Sequence, residues 1–249
     1  MDTLFNHTSI RKFSSKPIEE SVLEHIIEAA ARGSNTGNMQ IYSIIVTRNQ
    51  TLKTELCKRG HFGQASIENA PVIMTFCADL NRFTKWCELR NAKPGYDNFL
   101  SFYTATIDTT IAAQNACIAA ESKGLGICYF GTTNYCADEI IDILHLPQHV
   151  VPVTTIALGY PDEQPEKTER LPHKAIVHSE TYTDFSNEDI ENIYAEKEAI
   201  PQYQEYVQDH NLENLANVFT QIRYTTKNNK TFSKKLLETL KKQGFMNND

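Results

Sequence analysis

Residues 99–122 read FLSFYTATIDTTIAAQNACIAAES, and this stretch decides the fold. Apolar and small side chains fall on nearly every side of a helical wheel, which marks a long, central helix buried on most faces. Gly124 and Gly126 close it, and Ile127 to Phe130 follow as a strand that runs into Gly131, Thr132 and Thr133. Upstream, Pro17 suits a first helical turn, and Val22, Leu23, Ile26, Ile27 and Ala30 recur at helical spacing until Gly33 ends the run. Tyr42 to Thr47 reads as a strand, a short helix is expected over 52–58, and VIMTFC at 72–77, with Pro71 at its entrance, reads as a second strand. Downstream, a helix over 137–144 precedes a strand at 153–158 that ends at Gly159 and Pro161.

Composition bounds the function. The chain has 249 residues, 41% hydrophobic and 22% charged, which is ordinary for an enzyme-sized globular protein with a sizeable core. The net charge of −7 and pI of about 5.6 argue against a nucleic-acid partner, because phosphate backbones demand basic stripes. The first residues lack a basic segment followed by an apolar one, and no run approaches the roughly 18 apolar residues of a membrane span. A cytoplasmic chain with no membrane partner is expected. Cys57, Cys77, Cys87, Cys117, Cys128 and Cys136 show no CxxC pairing and sit in apolar runs, so they read as small core residues, with no metal site.

Beyond Tyr182 charged and amide residues dominate, with helical patterns over 188–207, 212–223 and 231–243. This third carries too little apolar surface for a core of its own, so residues 183–249 are set apart as a helical extension lying on the 1–182 core or on a second subunit. Lys227, Lys230, Lys234, Lys235, Lys241 and Lys242 spread along the last helix as a solvated face.

Chemistry concentrates near the start, in His7, Thr8, Ser9, Ile10, Arg11, Lys12 and Phe13. Arg11 offers a bidentate fork, and Ser9 and His7 add neutral hydrogen bonds, a set suited to a phosphate monoester. A dinucleotide fingerprint at Gly124 and Gly126 is rejected, because the third glycine is missing and the glycines precede the strand. No Ser/His/Asp order, paired carboxylates or ligand cluster is evident, so the chemistry requires a bound cofactor.

HTSIRKFSSKPIEESVLEHIIEAA, the SNTGNMQ turn before YSIIVT, FCADLNR, AAQNACIAAESKGLGICYFG, LHLPQHVVPVTTIALGYP and ERLPHKAIVH together resemble the nitroreductase superfamily. They are most similar to its oxygen-insensitive NADPH nitroreductase and flavin reductase branch. The resemblance covers nearly the whole chain in order. It implies an α+β fold, with a mixed sheet of four or five strands wrapped by helices and a C-terminal helical arm, assembled as a homodimer with FMN at the subunit interface. It assigns His7, Ser9 and Arg11 to the flavin phosphate and ribityl chain. Asn35, Thr36, Gly37 and Gln40 come from the turn, and Gln64 matches an isoalloxazine contact. Tyr129, Phe130, Gly131 and Thr132 correspond to the segment that lies against the ring and offers it backbone N–H groups. Arg170 matches a second phosphate arginine. Apart from the resemblance, Gln40 and Gln64 read equally well as surface amides, and Tyr129 and Phe130 as core residues.

Three departures stand out. Thr8 replaces an arginine of the branch, and Thr168 replaces the lysine of its K-x-R-L-P pattern, with Lys167 one position earlier as the cation nearest to hand. The arginine-rich segment that serves the NADPH 2′-phosphate reads NLENLANVFTQIR here, with only Arg223. Either NADPH or NADH therefore stands as electron donor. The implied activity is two-electron, ping-pong reduction of a small-molecule acceptor such as a nitroaromatic, quinone or flavin. Two alternatives stay open: a flavin reductase supplying reduced flavin to a partner, and a non-catalytic flavin-binding protein.

Overall fold

The computed structural model describes residues 2–247. Its helices are α1 (Asp2–Phe5), α2 (Glu20–Ala31), α3 (Gln50–Glu55), α4 (Ala65–Asn69), α5 (Asn81–Leu89), α6 (Phe99–Ser122), α7 (Ala137–Leu144), α8 (Asn187–Glu198), α9 (Pro201–Asp209), α10 (Leu215–Asn217) and α11 (Thr226–Lys242). Its strands are β1 (Tyr42–Thr47), β2 (Val72–Asp79), β3 (Gly126–Phe130) and β4 (Val150–Gly159), in the spatial order β1-β2-β4-β3. The chain forms two compact units, residues 1–166 with 232–249, and residues 167–231.

In the first unit, α6 has the bounds its composition predicts, and Asn98 caps it by accepting from the Ser101 N–H. All eight residues of β2 are buried, because apolar layers cover both faces of the sheet. On one face Val72, Met74, Phe76, Ile127, Ile156 and Leu158 meet Leu23, Ile26 and Ala30 of α2 and the small residues Ala112, Ala113, Ala116 and Ala120 of α6. The other buries Ile73, Cys128, Phe130 and Ala157 against Leu56, Ile67, Ile140 and Ile143. All six cysteines are buried free thiols, as their apolar surroundings predict.

The sheet differs from the expected mixed one in a specific way. All pairings between its four strands are antiparallel, and the parallel pairing is confined to an isolated bridge between Ser9 and Ile127. The β2–β4 register shifts between Phe76 and Cys77, where Cys77 faces Pro152, which has no N–H to donate. Helices α1, α4 and α5 are additions to the sequence reading, each too short for a periodic pattern to stand out.

In the second unit, the single helix expected over 188–207 is two. Pro201 opens α9, and the residue before it, Ile200, is extended, since proline neither donates a backbone hydrogen bond nor tolerates a helical predecessor. A reciprocal capping box between Ser186 and Asp189 starts α8. The segment expected from 212 becomes helical only at Leu215 and continues as a wider π-type turn over Val218–Arg223. Helix α11 begins at Thr226, five residues before its expected start. From Phe232 onward it belongs to the first unit, where Leu240 and the following Phe245 are buried with Ile41, Ala78 and Val151.

Gly126 fixes how closely the N-terminal segment lies on the sheet. A Cβ added there would fall 2.5 Å from Ile10 Cγ1. Gly126→Ala is expected to lower stability by about 1–3 kcal/mol, as overpacking does, seen as a lower thermal midpoint. An unchanged midpoint would show that Ile10 moves aside freely.

Candidate active site

Three segments converge around α6 and the end of β3. The first is residues 7–14. Ser9 bridges Ile127, and the Ile10 N–H donates to the Ile127 carbonyl at 2.9 Å, so the parallel register carries Arg11 level with Tyr129. On its other side Phe13 bridges Pro161 and the Ser14 N–H donates to Tyr160. The N–H groups of Arg11 and Lys12 donate to Glu163 Oε1 at 2.5 and 2.9 Å, and they hold its carboxyl below the usual range. The backbone at Arg11 is thus tied down on both sides. Its guanidinium is exposed and makes no hydrogen bond or ion pair among the described residues. His7 is engaged elsewhere: its Nδ1 lies 2.5 Å from Glu121 Oε1 near the end of α6.

The second segment is the turn 35–40. Its backbone takes left-handed angles at Gly37, Asn38 and Gln40, with φ of 54°, 56° and 52°, which glycine and asparagine accept most readily. Asp108 holds it. Buried at 2% exposure in α6, this carboxylate accepts from the Thr36 N–H at 2.9 and 3.0 Å and from Thr36 Oγ1 at 2.9 Å. The Gln40 N–H donates to Asn35 Oδ1 at 3.2 Å, and the Gln40 carbonyl accepts from Arg82. The approach to the turn is tight, since a Cβ at Gly33 would stand 3.0 Å from Ile111 Cγ2.

The third is the end of β3 with its neighbours. Phe130 is buried, and Gly131 is exposed with open space where a Cβ would be. The Tyr129 hydroxyl donates to Gln114 Oε1 at 3.3 Å, and burial pushes its phenol up. Asp108 and Gln114 lie six residues apart on α6, about 9 Å along its axis, so one helix spaces the turn and the strand end. Gln64 Nε2 donates to Thr132 Oγ1 at 3.1 Å, and Thr132 Oγ1 lies 2.8 Å from Nδ1 of His61. Thr132 Oγ1 thus stands between the Gln64 amide and the His61 ring nitrogen and ties the two side chains together. His61 is completely buried, its Nε2 has no partner, and burial draws its pKa down to about 4, so the ring is neutral near pH 7.

The first unit therefore gathers Ser9, Arg11, Asn35, Thr36, Gly37, Gln40, Gln64, Tyr129, Phe130, Gly131 and Thr132, with His7 turned to Glu121. Lys167 and Arg170 belong to the second unit, where Arg170 Nη1 donates to the carbonyls of Thr168 and Glu169 at 3.1 and 2.9 Å. In that unit Glu169 receives Lys197 Nζ at 2.7 Å and the Tyr203 hydroxyl at 2.8 Å. The Arg223 guanidinium lies over the rings of Tyr206 and Phe219, 5.4 and 5.6 Å from their centroids. Sequence reasoning missed Asp108, His61 and Arg82. The first had a signal, an acid in the middle of a helix made mostly of apolar and small residues; the other two act only through contacts distant in sequence.

The model of the Nitroreductase family matches residues 4–160, which contain all three segments. An FMN reductase (NADPH) of Bacillus subtilis (strain 168) is 34% identical over 184 residues, 73% of this chain and 74% of its own length. An oxygen-insensitive NADPH nitroreductase of Salmonella typhimurium is 34% identical over 182 residues, 73% of this chain and 74% of its own. A crystal structure from Bacteroides fragilis NCTC 9343 superposes with a TM-score of 0.97 at 46% identity, covering 99% of this chain and 100% of that one. A match over more than half the chain, carried by the same segments that build the site, leaves one conclusion: this chain belongs to the nitroreductase family.

Proposed function

We propose that this protein is an FMN-dependent NAD(P)H oxidoreductase that reduces nitroaromatics, quinones or flavins, working as a cytoplasmic homodimer. The observation that carries this reading is Arg11: a guanidinium that makes no hydrogen bond or ion pair among the described residues, on backbone pinned from both sides, level with a strand end that opens at Gly131. The donor set fits a flavin mononucleotide. Arg11 and Ser9 suit its phosphate, the turn 35–40 and Gln64 present amides, and the backbone at 130–132 lines the open end of β3. FMN seated there supplies two-electron transfer from a nicotinamide to a small acceptor.

The chain's own part is binding and orientation. Arg11 neutralises the phosphate charge. Asp108 fixes the turn, so Gln40 is presented in one geometry. Gln64, with its amide nitrogen committed to Thr132, keeps Oε1 as an acceptor for a ring N–H. Phe130 and the apolar layer beneath it keep water from that side. The dimer is supported by α6 itself, where Leu100, Tyr103 and Ile107 form a stripe at helical spacing with exposures of 71%, 55% and 45%.

Purified protein is expected to be yellow, to bleach with either NADPH or NADH without oxygen, and to regain colour when a quinone or nitroaromatic is added. Double-reciprocal plots should be parallel, and nitroaromatic turnover should be alike in air and under nitrogen, because the acceptor gains two electrons at once. Persistent yellow with both nicotinamides would leave a flavin-binding protein without this catalysis.

Charge-assisted contacts are worth roughly 1.5–3 kcal/mol, so Arg11→Ala should raise the dissociation constant for FMN at least about tenfold, measured by titrating apoprotein. An unchanged constant would remove Arg11 from the phosphate site.

A further inference from the structure

Segment 7–14 changes direction at the residue proposed for the phosphate. The Ile10 N–H points to β3 and donates to the Ile127 carbonyl at 2.9 Å. In an extended strand the next two N–H groups would point to opposite edges. Those of Arg11 and Lys12 instead converge on one atom, Glu163 Oε1, at 2.5 and 2.9 Å. Successive N–H groups turned to the same side form a concavity that holds an anion, and here the anion is a side chain of the protein itself. The chain is closed beyond this point: the Asp162 N–H donates to the Lys12 carbonyl at 3.0 Å, and Phe13 bridges Pro161.

A negative charge in this place is unexpected beside a phosphate site. The two N–H groups hold the half-buried Glu163 carboxyl below the usual range, so it is ionised near neutral pH. A carboxylate close to Arg11 repels a phosphate bound there. Its hydrogen bonds go to the Arg11 backbone, while the guanidinium stays exposed. Glu163 thus has two effects of opposite sign. Repulsion makes it harmful to phosphate binding, whereas fixing the backbone of Arg11 makes it necessary.

We propose that Glu163 is a positioning residue for the flavin phosphate: by accepting the N–H groups of Arg11 and Lys12, it fixes the backbone from which the Arg11 guanidinium reaches the phosphate. The proposal rests on the flavin reading above and adds to it a residue that acts through Arg11. Charge-assisted hydrogen bonds are about twice as strong as neutral ones, so an amide at position 163 holds the two N–H groups less firmly. A side chain without an acceptor releases them to water.

The test compares FMN with riboflavin, which lacks the phosphate. Dissociation constants of the apoprotein for both are measured by flavin fluorescence in the parent protein, Glu163→Ala, Arg11→Ala and the double variant. Glu163→Ala should raise the FMN constant at least about fivefold and the riboflavin constant less than about twofold. Added to Arg11→Ala, it should weaken FMN less than about twofold, since the group it positions is gone. Unchanged or tighter FMN binding in Glu163→Ala overturns the proposal, as repulsion then prevails. Equal losses for FMN and riboflavin, or an undiminished loss in the Arg11→Ala background, also overturn it, because both mark a general loosening of the fold. Should Glu163→Ala not fold, Glu163→Gln decides. It should raise the ratio of the FMN constant to the riboflavin constant at least about twofold, and an unmoved or lower ratio overturns the proposal. Failure of the underlying reading looks different. Parent apoprotein that binds no FMN, or Arg11→Ala that binds it as tightly as the parent, removes the phosphate from Arg11; a loss in Arg11→Ala with Glu163→Ala silent removes Glu163 alone.

Discussion

The close packing of α6 against the sheet is the constraint on which everything else rests. Ala112, Ala113, Ala116, Cys117 and Ala120 are at most 2% exposed, and their small side chains let this helix lie close to β2, β3 and α2. Larger residues there would force strained rotamers at about 1–3 kcal/mol each. Because α6 also carries Asp108 and Gln114, its distance from the sheet sets where the turn 35–40 and the end of β3 stand. Core packing and site geometry are therefore one problem, solved by the same 24-residue helix.

The polar groups that hold the turn and the strand end are tied down by specific contacts. Asp108 is a buried carboxylate whose removal from water is offset by hydrogen bonds from the N–H and the hydroxyl of Thr36, strengthened because the acceptor is charged. His61 plays a comparable part for Thr132 and Gln64 with one difference: its Nε2 stays unpaired. A neutral ring tolerates this far better than an imidazolium would, in keeping with a pKa drawn down to about 4. The exposed cations behave in the opposite way. The Arg11 guanidinium makes no hydrogen bond or ion pair among the described residues and is the cation proposed for the phosphate, whereas Arg170 and Arg223 are occupied by carbonyls and aromatic rings of their own unit.

Elements that carry their own pattern were legible in the sequence. The bounds of α6, α7 and β1 follow from composition and spacing, and β2 and β4 extend only a few residues beyond their apolar runs. Short helices such as α5 were not legible, since nine residues beginning NRFTK show no clear apolar stripe before their partners are known. Pro201 was legible in principle, yet an otherwise continuous polar helical pattern masked the break. The site was visible as motifs, HTSIR, SNTGNMQ and CYFGT, but not the way they meet. That depends on the Ser9–Ile127 bridge and on Asp108 reaching Thr36 across 72 positions of sequence, which no local pattern encodes.

A crystal structure of the protein with FMN bound tests the central claim most directly. It should place the phosphate about 3 Å from the Arg11 guanidinium, with the ring between the turn 35–40 and residues 129–132 and the α6 stripe at Leu100, Tyr103 and Ile107 covered by a second copy. Flavin density away from Arg11 and the end of β3, or a flavin-loaded monomer with that stripe bare, would contradict it.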